Sequence, residues 1–353
     1  MDFDQIVTKV STIDNYHIQA ITKNNSTKPN LTNNNFMGFN RTTAKAYVKK
    51  FLYPFPHFRR RVVFMVDGLH THGGLTDRFR TALSLYYVCK KENVPFFIYY
   101  VYPCDLSLIL KPNQYNWIIN KRDISHSFWD SKDIYIYNTG ILGMKYLDAS
   151  ALILEERVGK ELKKKKKKQY LIYGNSFFRP GKINYKSLFN ELFKPSSYLK
   201  EQISKHSKLF METYEAVTLR FQQLLGDFSE GQFEILPKEE RIFLIEKCVD
   251  KIEELYKNNY FSTEKILITT DSPSFMKEIS KKPYVYTIPG KMEHMDFTHN
   301  ADLEMNTKSF VDLYLLMRAK KITLLRTGKM YRSGFPAFAA ELGNIEYYEF
   351  FFN

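Results

Sequence analysis

The chain has 353 residues, which exceeds the size at which a single hydrophobic core keeps growing, so two domains are expected. Hydrophobic residues make up 44% and charged residues 25%, a balance that excludes a chain disordered throughout. The formal net charge is +14, but it falls from +14 to +8 without six consecutive lysines, from Lys163 to Lys168. No zinc-finger or RRM signature accompanies this charge, so a specific nucleic-acid partner is not expected.

The cysteines and the apolar segments indicate the cellular compartment of the protein. Cys89, Cys104 and Cys248 are an odd number at wide spacing, which argues against a disulfide framework and against a zinc cluster. The N-terminus lacks an apolar leader, and no stretch is long enough to span a bilayer, so a cytoplasmic protein is expected. The lysine run leaves two alternatives, a solvated segment or a peripheral contact with the anionic inner face of a membrane.

The first half of the chain predicts an irregular segment and then alternating strands and helices. Residues 1–58 are rich in Asn, Thr and Lys and predict irregular structure packed on the first domain. The continuous apolar run at 61–66 predicts a strand buried on both faces of a parallel sheet. A first Rossmann-like domain over residues 59–205 follows. Its other predicted elements are helices from Leu75 and at about 151–164, and strands at 96–101, 134–137 and 170–173.

The second half alternates in the same way. It predicts a second Rossmann-like domain over residues 206–345, followed by a tail at 346–353. Ser272 is placed to cap a helix that starts at Pro273. Together the two halves predict an α/β fold of two doubly wound domains facing a cleft. The predicted strands are 217–221, 265–270 and 322–325, and the other helices are 196–213, 237–256, 310–317 and 335–342.

Two polar residues end predicted strands of the second half. Arg220 follows an apolar run, and burying a guanidinium there is costly unless an anion or a carboxylate pairs with it. The pattern therefore leaves two partners open, a phosphate and Asp227. Asp271 ends the next strand, where it could bind a ribose or a base, or cap the helix at Pro273.

A third strand-to-helix junction has the composition of a phosphate-binding turn. Arg332, Ser333 and Gly334 precede the helix at 335–342 and would place amides, a hydroxyl and a cation at its N-terminus. Such junctions share one side of a parallel sheet, so all three are expected to meet at one anionic ligand.

The glycine turn of the first half offers a different set of groups. Gly73 and Gly74 would let the backbone pass close to a ligand, Arg78 would supply a cation, and His72 or Asp77 would supply a general base. A pair of histidines at positions 70 and 72 has no third ligand at a typical spacing, so no metal site is predicted.

These segments resemble motifs of the fucosyltransferase-like glycosyltransferases, which include nodulation, α1,2-, α1,6- and protein O-fucosyltransferases. Residues 73–80, Gly-Gly-Leu-Thr-Asp-Arg-Phe-Arg, resemble the family's glycine-rich opening. Residues 218–220 resemble its His-x-Arg strand motif, with Thr218 in place of His. Further matches in the same chain order are residues 270–272, 312–316 and 333–340.

The resemblance implies a GT-B fold and transfer of a sugar, fucose from GDP-fucose foremost, to a hydroxyl of a glycan or glycolipid. It implies inversion at the anomeric carbon, with no metal and no cofactor besides the donor substrate. By position, Arg220 would neutralise the leaving diphosphate, Asp271 would contact the nucleoside, and Ser333 would hold phosphate.

Departures from the family pattern leave other functions open. Besides Thr218, Phe221 stands where many members have a second Arg, Pro336 where a Ser is common, and Asp77 where Asn is frequent. One alternative is a transferase for another nucleotide sugar, such as a GDP-hexose. Another is a non-catalytic protein that binds anions or nucleic acid on a degenerate transferase scaffold.

Overall fold

The computed structural model of the protein describes residues 59–137, 145–206, 209, 213–227, 234–290, 295 and 303–353. The described residues belong to the second of two units of the chain, Lys50–Asn353. The irregular segment predicted at 1–58 lies outside the described residues. Both predicted Rossmann-like domains lie within the second unit, and the boundary between them stays a prediction.

The first half contains a four-stranded parallel sheet with the order β2-β1-β5-β4. Strand β1 (Arg61–Val66) pairs with β2 (Phe96–Tyr100) on one side and with β5 (Gln169–Gly174) on the other. Strand β4 (Ser131–Ile136) pairs with the far side of β5. The side chains from Val62 onward in β1 are buried, as the continuous apolar run predicted.

Helices surround this sheet. Helix α1 (Leu75–Lys91) begins directly after Gly74 and buries most of its length against the core. Two short strands that were not predicted from the sequence, β3 (Leu110–Pro112) and β6 (Phe193–Pro195), form an antiparallel pair. The remaining helices are α2 (Leu106–Ile109), α3 (Tyr146–Ile153), a π-helical turn (Leu154–Gly159), α4 (Lys160–Lys164), α5 (Tyr185–Leu192) and α6 (Ser197–Ser204).

The second half contains a five-stranded parallel sheet with the order β11-β10-β7-β8-β9. Its strands are β7 (Glu215–Leu219), β8 (Ile266–Thr270), β9 (Val285–Thr287), β10 (Lys321–Thr327) and β11 (Glu346–Phe352). Four further helices are α7 (Lys238–Lys257), α8 (Pro273–Ile279), α9 (Leu303–Leu316) and α10 (Phe335–Gly343). Ser272 caps α8 as predicted, because its Oγ accepts a hydrogen bond from the Phe275 amide at 3.0 Å.

Two predictions about this half need correction. The tail predicted at 346–353 is wrong, because β11 pairs in parallel with all seven residues of β10. Its aromatic residues favour a strand, but such propensity is expressed only beside a partner strand. The helix predicted at 196–213 ends as α6 at Ser204, and most residues beyond 206 in that range lie outside the described part.

The strand order determines where a ligand can enter the second sheet. From β7 the chain continues to β8 and β9 on one side, and later to β10 and β11 on the other. The loops after the adjacent strands β7 and β10 therefore diverge and leave a crevice at the carboxyl ends of the strands. Phe79 of α1 packs against Phe310 of α9 and Phe338 of α10, so both halves share a core. Within the described ranges, no helix is long and apolar enough to cross a membrane.

Candidate functional site

A cavity of about 200 Å³ lies at this crevice and is lined from both halves of the molecule. Arg220 and Ser333, which the sequence analysis expected to meet, both line it. Most of the lining residues lie at strand-to-helix junctions or on α1 and α9. The lining residues are 74–77 and Arg80 from the first half, and residues 218–220, 269–271, Met295, Ser309, Asp312, Tyr331 and 333–335 from the second.

Arg220 is held in the cavity wall by Asp271. Its Nε lies 3.3 Å from Asp271 Oδ2, and its side chain is 17% exposed. The Asp271 carboxylate also accepts hydrogen bonds from the amides of Phe221 at 2.9 Å and Gln222 at 2.7 Å. One buried carboxylate thereby orients both the guanidinium and the turn that follows β7.

The sequence left Asp227 open as an alternative partner of Arg220, and that prediction is wrong. Asp227 accepts hydrogen bonds from the Ser272 hydroxyl, the Ser274 hydroxyl at 2.6 Å and the Ser274 amide at 3.1 Å. It therefore stabilises the start of α8. The alternative role of Asp271 as the cap of α8 is also wrong, because Ser272 fills that role.

Asp271 lines the cavity, but its carboxylate already accepts hydrogen bonds from its own protein. Burial raises the pKa of this carboxyl, while Arg220 and the two amides oppose the rise. The arrangement suits a positioning role for Asp271, and its predicted contact with a nucleoside stays a prediction.

Two helix N-termini open on the cavity from opposite halves. Gly74 precedes α1, and Gly334 precedes α10. Ser333 Oγ accepts a hydrogen bond from the Phe335 amide at 3.3 Å, and the Tyr331 amide donates to the Arg220 carbonyl at 3.2 Å. The second contact ties the loop before α10 to the end of β7. Helix N-termini carry partial positive charge, so both ends favour an anion in the cavity.

Arg332 does not take the predicted place in the phosphate-binding turn. Its side chain is 70% exposed, with Nη2 2.7 Å from Glu349 Oε1 and Nε 2.8 Å from Glu349 Oε2. Although described, Arg332 is not among the residues that line the cavity. The carboxylate that pairs with it belongs to β11, the strand that the sequence analysis took for a tail.

The glycine turn of the first half is built around buried groups. Gly73 adopts φ +75°, and a Cβ there would lie 2.9 Å from Asp77 Oδ2. Arg78 is fully buried, and its Nε donates to the Gly73 carbonyl at 2.9 Å. Its Nη1 donates to the Tyr100 hydroxyl at 2.9 Å and the Tyr102 carbonyl at 2.7 Å. Gly73 and Arg78 thus fix the conformation of the turn. Both were expected to lie beside a ligand, but neither lines the cavity.

The two predicted bases occupy different environments. His72 is fully buried, with Nε2 3.7 Å from Asp67 Oδ1, and is not among the lining residues. Asp77 is half-buried in the first turn of α1 and lines the cavity. Burial alone would raise the pKa of Asp67, but His72 and the Leu69 amide lower it below its ordinary value. Asp77 is therefore the predicted base that can reach a bound molecule.

Arg80, which was not predicted as a site residue, extends from α1 toward the N-terminus of α10. It is 8% exposed, and its guanidinium lies 5.2 Å from the Phe338 ring centroid and 5.4 Å from that of Phe177. A Cβ at Gly334 would lie 3.6 Å from Arg80 Nη1. Among the described atoms, Arg80 Nε has no hydrogen-bond partner. The spacing of Asp77 and Arg80 at i and i+3 is the signal that could have identified it.

A buried ion pair on α9 forms another part of the cavity wall. Lys308 Nζ lies 2.7 Å from Asp312 Oδ2, and both side chains are almost fully buried. Asp312 lines the cavity, and its Oδ1 accepts no hydrogen bond from any described residue. Burial raises the pKa of Asp312, and Lys308 opposes that rise. In the described part of the chain, no cluster of three His, Cys, Asp or Glu side chains could hold a metal ion.

Comparisons with known proteins identify the fold. No protein-family model and no curated protein sequence matches the chain. NodZ α-1,6-fucosyltransferase soaked with GDP-fucose matches with a TM-score of 0.51 and 13% identity, covering 80% of this chain and 93% of that one. NodZ co-crystallised with GDP gives a TM-score of 0.50 and 12% identity, covering 80% and 92%. POFUT1 in complex with GDP gives a weaker likeness, with a TM-score of 0.46 and 14% identity, covering 84% and 99%.

The two NodZ likenesses extend over most of this chain and almost the whole of NodZ. They confirm the α/β class expected from the alternating strands and helices. The chain shares the fold of the NodZ structures, the α/β GT-B fold that the resemblance of its motifs implied.

Proposed function

We propose that the protein is a glycosyltransferase that transfers a sugar, fucose from GDP-fucose, to a hydroxyl of a glycan or glycolipid. One observation carries the proposal. Arg220, the Ser333–Gly334 turn at the start of α10, and Arg80 from the opposite half all line or border one cavity at the switch point of the second sheet. Two guanidinium groups and two helix N-termini there form a site suited to a diphosphate.

The proposed reaction uses these groups to stabilise the leaving diphosphate. Negative charge develops on the diphosphate as the bond from its oxygen to the anomeric carbon breaks. Arg220 and the amides at the start of α10 would offset that charge, with Arg80 contributing from α1. Because these groups are preorganised by Asp271 and by aromatic rings, they need little rearrangement during the reaction. The proposed chemistry therefore requires no metal ion.

We assign the acceptor side of the reaction to Asp77. Its carboxylate would take the proton from the acceptor hydroxyl as the acceptor oxygen attacks the anomeric carbon from the face opposite the diphosphate. A single displacement of this kind inverts the anomeric configuration. Asp77 lines the same cavity as Arg220, so one bound donor could contact both residues.

The proposal extends to the setting of the reaction. Cys89 and Cys248 are free and buried, and Cys104 is free and partly buried. Free thiols suit a reducing compartment, so we propose a cytoplasmic enzyme that acts in glycan or polysaccharide synthesis.

A donor screen tests the proposal directly. The purified protein is mixed with GDP-fucose, GDP-mannose and UDP-sugars, and released nucleoside diphosphate is measured with and without glycan acceptors. GDP release from GDP-fucose is expected, and preference for a GDP-hexose would identify the alternative donor. If calorimetry shows no binding of GDP or of any other nucleoside diphosphate, a non-catalytic anion-binding protein replaces the proposed transferase.

A further inference from the structure

An exposed surface lies at the end of the first sheet's strands opposite the cavity. Strands β4 and β5 are parallel and start in register, with Ser131 beside Gln169. The chain segments that lead into these two strands therefore lie next to each other. The cavity lies beyond the carboxyl ends of the sheet, near the start of α1.

Two large aromatic side chains stand exposed in the segment before β4. Phe128 is 63% exposed and Trp129 is 70% exposed, with their ring centroids 5.8 Å apart. The loop beneath them is rigidly bonded, because Ser125 Oγ donates to Asp130 Oδ1 at 2.7 Å and Ser131 Oγ donates to the Ser125 carbonyl at 2.8 Å. The two rings are thus presented to solvent by an ordered loop.

The lysine run occupies the neighbouring segment, before β5. Helix α4 ends within the run, and Lys165 follows in the left-handed conformation at φ +55°. Lys167 Nζ lies 4.7 Å from the Phe128 ring centroid and donates to the Phe128 carbonyl. The Lys168 amide donates to the Asp130 carbonyl at 2.9 Å. These contacts join the lysines and the aromatic pair into one continuous surface, which we call the aromatic–lysine surface.

The charge of this surface is strongly positive. Lys163 lies near Glu92 and Lys164 near Glu161, with N–O distances of 3.9 Å and 2.6 Å. Lys165, Lys166 and Lys168 are exposed, and Lys167 is partly buried. The neighbouring turn at Lys121–Asp123 adds two exposed cations, Lys121 and Arg122, and one carboxylate, Asp123, which lies 4.0 Å from Arg122 Nε. The three acidic partners, Glu92, Glu161 and Asp123, therefore neutralise only a minority of the positive charges.

We propose that the aromatic–lysine surface, made of Phe128, Trp129 and residues 163–168, docks the protein on an anionic lipid membrane. Trp and Phe side chains gain free energy when they leave water for the headgroup region. Clustered lysines are attracted to anionic headgroups, each contributing a factor of about five to binding. An anionic membrane is the partner that interacts favourably with both the aromatic rings and the lysines.

Single-stranded nucleic acid fits the same surface less well. Base stacking needs an open ring face beside a basic groove. Lys167 already covers a face of Phe128, and the Phe128 and Trp129 rings meet edge to face, with 77° between their planes. The rings therefore offer apolar edges to a lipid surface more readily than flat platforms to bases.

The position of the surface predicts independence from the cavity. Strand β5 has six residues between its two ends, which corresponds to roughly 20 Å. Docking at the amino-terminal ends of the strands leaves the cavity open on the opposite side. Membrane binding and donor binding are therefore expected to be separable.

Intrinsic fluorescence provides a direct measurement, because the chain has two tryptophans in contrasting environments. Trp117 is 2% exposed, and its indole N–H donates to the Leu192 carbonyl at 2.8 Å. Trp129 is thus the residue whose emission can respond to lipid. Vesicles of phosphatidylcholine with phosphatidylserine are expected to shift the emission to shorter wavelength, and high salt is expected to reverse the shift. Vesicles of phosphatidylcholine alone are expected to have no effect.

Paired substitutions test the two components by vesicle sedimentation. The variant Lys165→Glu/Lys166→Glu is expected to bind anionic vesicles at least about 25-fold more weakly. The variant Phe128→Ala/Trp129→Ala is expected to lose binding to a similar degree. Matched controls are Lys238→Glu/Lys277→Glu and Phe243→Ala, which change exposed side chains elsewhere and should sediment like the unaltered protein.

Three results would overturn this proposal. The first is equal sedimentation with neutral and anionic vesicles, and the second is unchanged binding by the surface variants. The third is a single-stranded RNA affinity that the aromatic variant loses while its vesicle binding stays intact. GDP affinity, measured on the same proteins, is expected to be unchanged throughout, so a failure here leaves the proposed transferase function untouched.

Discussion

Arg220 and Arg80 approach the same cavity from opposite halves, and they are held by different kinds of contact. Arg220 is bound by a carboxylate, with its Nε 3.3 Å from Asp271. Arg80 lies between the rings of Phe177 and Phe338, with Glu341 no closer than 3.9 Å. A carboxylate sets the direction of a guanidinium but neutralises part of its charge, whereas aromatic rings hold it and leave its N–H groups for an anion. We infer that Arg220 provides orientation, and that Arg80 provides charge that its more distant carboxylate, Glu341, neutralises less than Asp271 neutralises that of Arg220.

The largest effect is expected from Arg220→Ala. Turnover of GDP-fucose should fall by about 10²- to 10³-fold, because a preorganised donor at the developing charge is lost. Arg220→Lys keeps the charge without the planar fork and should recover only part of the activity. Steady-state release of GDP measures both, with circular dichroism to confirm folding. Unchanged turnover in Arg220→Ala would remove this residue from the reaction.

Arg80→Met tests the charge contributed from α1. Methionine keeps an apolar stem between Phe177 and Phe338, so the core should stay packed while the cation is lost. The Kd for GDP is expected to rise by about 10- to 100-fold, the size of a charge-assisted hydrogen bond. Arg80→Lys serves as the control that keeps the charge. If calorimetry gives the same Kd for Arg80→Met and the unaltered protein, Arg80 is only a packing residue.

Asp271→Asn tests whether Asp271 orients Arg220 in addition to stabilising the folded protein. The side-chain oxygen of an asparagine can accept a hydrogen bond from the Phe221 amide or the Gln222 amide. Its NH₂ group, which is a donor, then faces the other amide and Arg220, which are donors too. The free energy of unfolding should fall by about 2 kcal/mol, and GDP should bind more weakly. Asp227→Asn is the matched control, since it breaks comparable bonds at the start of α8 outside the cavity lining. Urea titration and calorimetry on both variants decide whether Asp271 positions Arg220, because equal GDP binding by the two would contradict it.

The smallest effect is expected from Arg332→Ala. This arginine pairs with Glu349 on the surface, and exposed ion pairs contribute about 0–1 kcal/mol to stability. The Kd for GDP should change less than twofold, and Glu349→Ala should behave in the same way. A large loss of GDP affinity in Arg332→Ala alone would return this residue to the phosphate site that the sequence suggested.

The local features of the fold could be predicted from the sequence because they depend on near neighbours in the chain. The apolar run at 61–66 marks a strand buried on both faces, and β1 is observed there. Ser272 before Pro273 marks a helix start, and the expected capping bond forms. The order of strand-to-helix junctions also indicated that Arg220 and Ser333 would meet, because parallel strands place such junctions on one side of a sheet.

The direction of each side chain depended instead on contacts between distant segments. Arg78 and Arg80 stand two residues apart in one helix, yet Arg78 turns inward to Tyr100 and Arg80 extends toward α10. Arg332 lies outside the cavity lining because β11 places Glu349 beside it. The sequence by itself determined most of the elements of the two parallel sheets and which junctions gather, since periodicity and caps are local properties, but not β11, which needs β10 beside it. Only the tertiary structure decided which cations face the ligand, since a guanidinium pairs with whatever carboxylate, ring or carbonyl the packing places nearest.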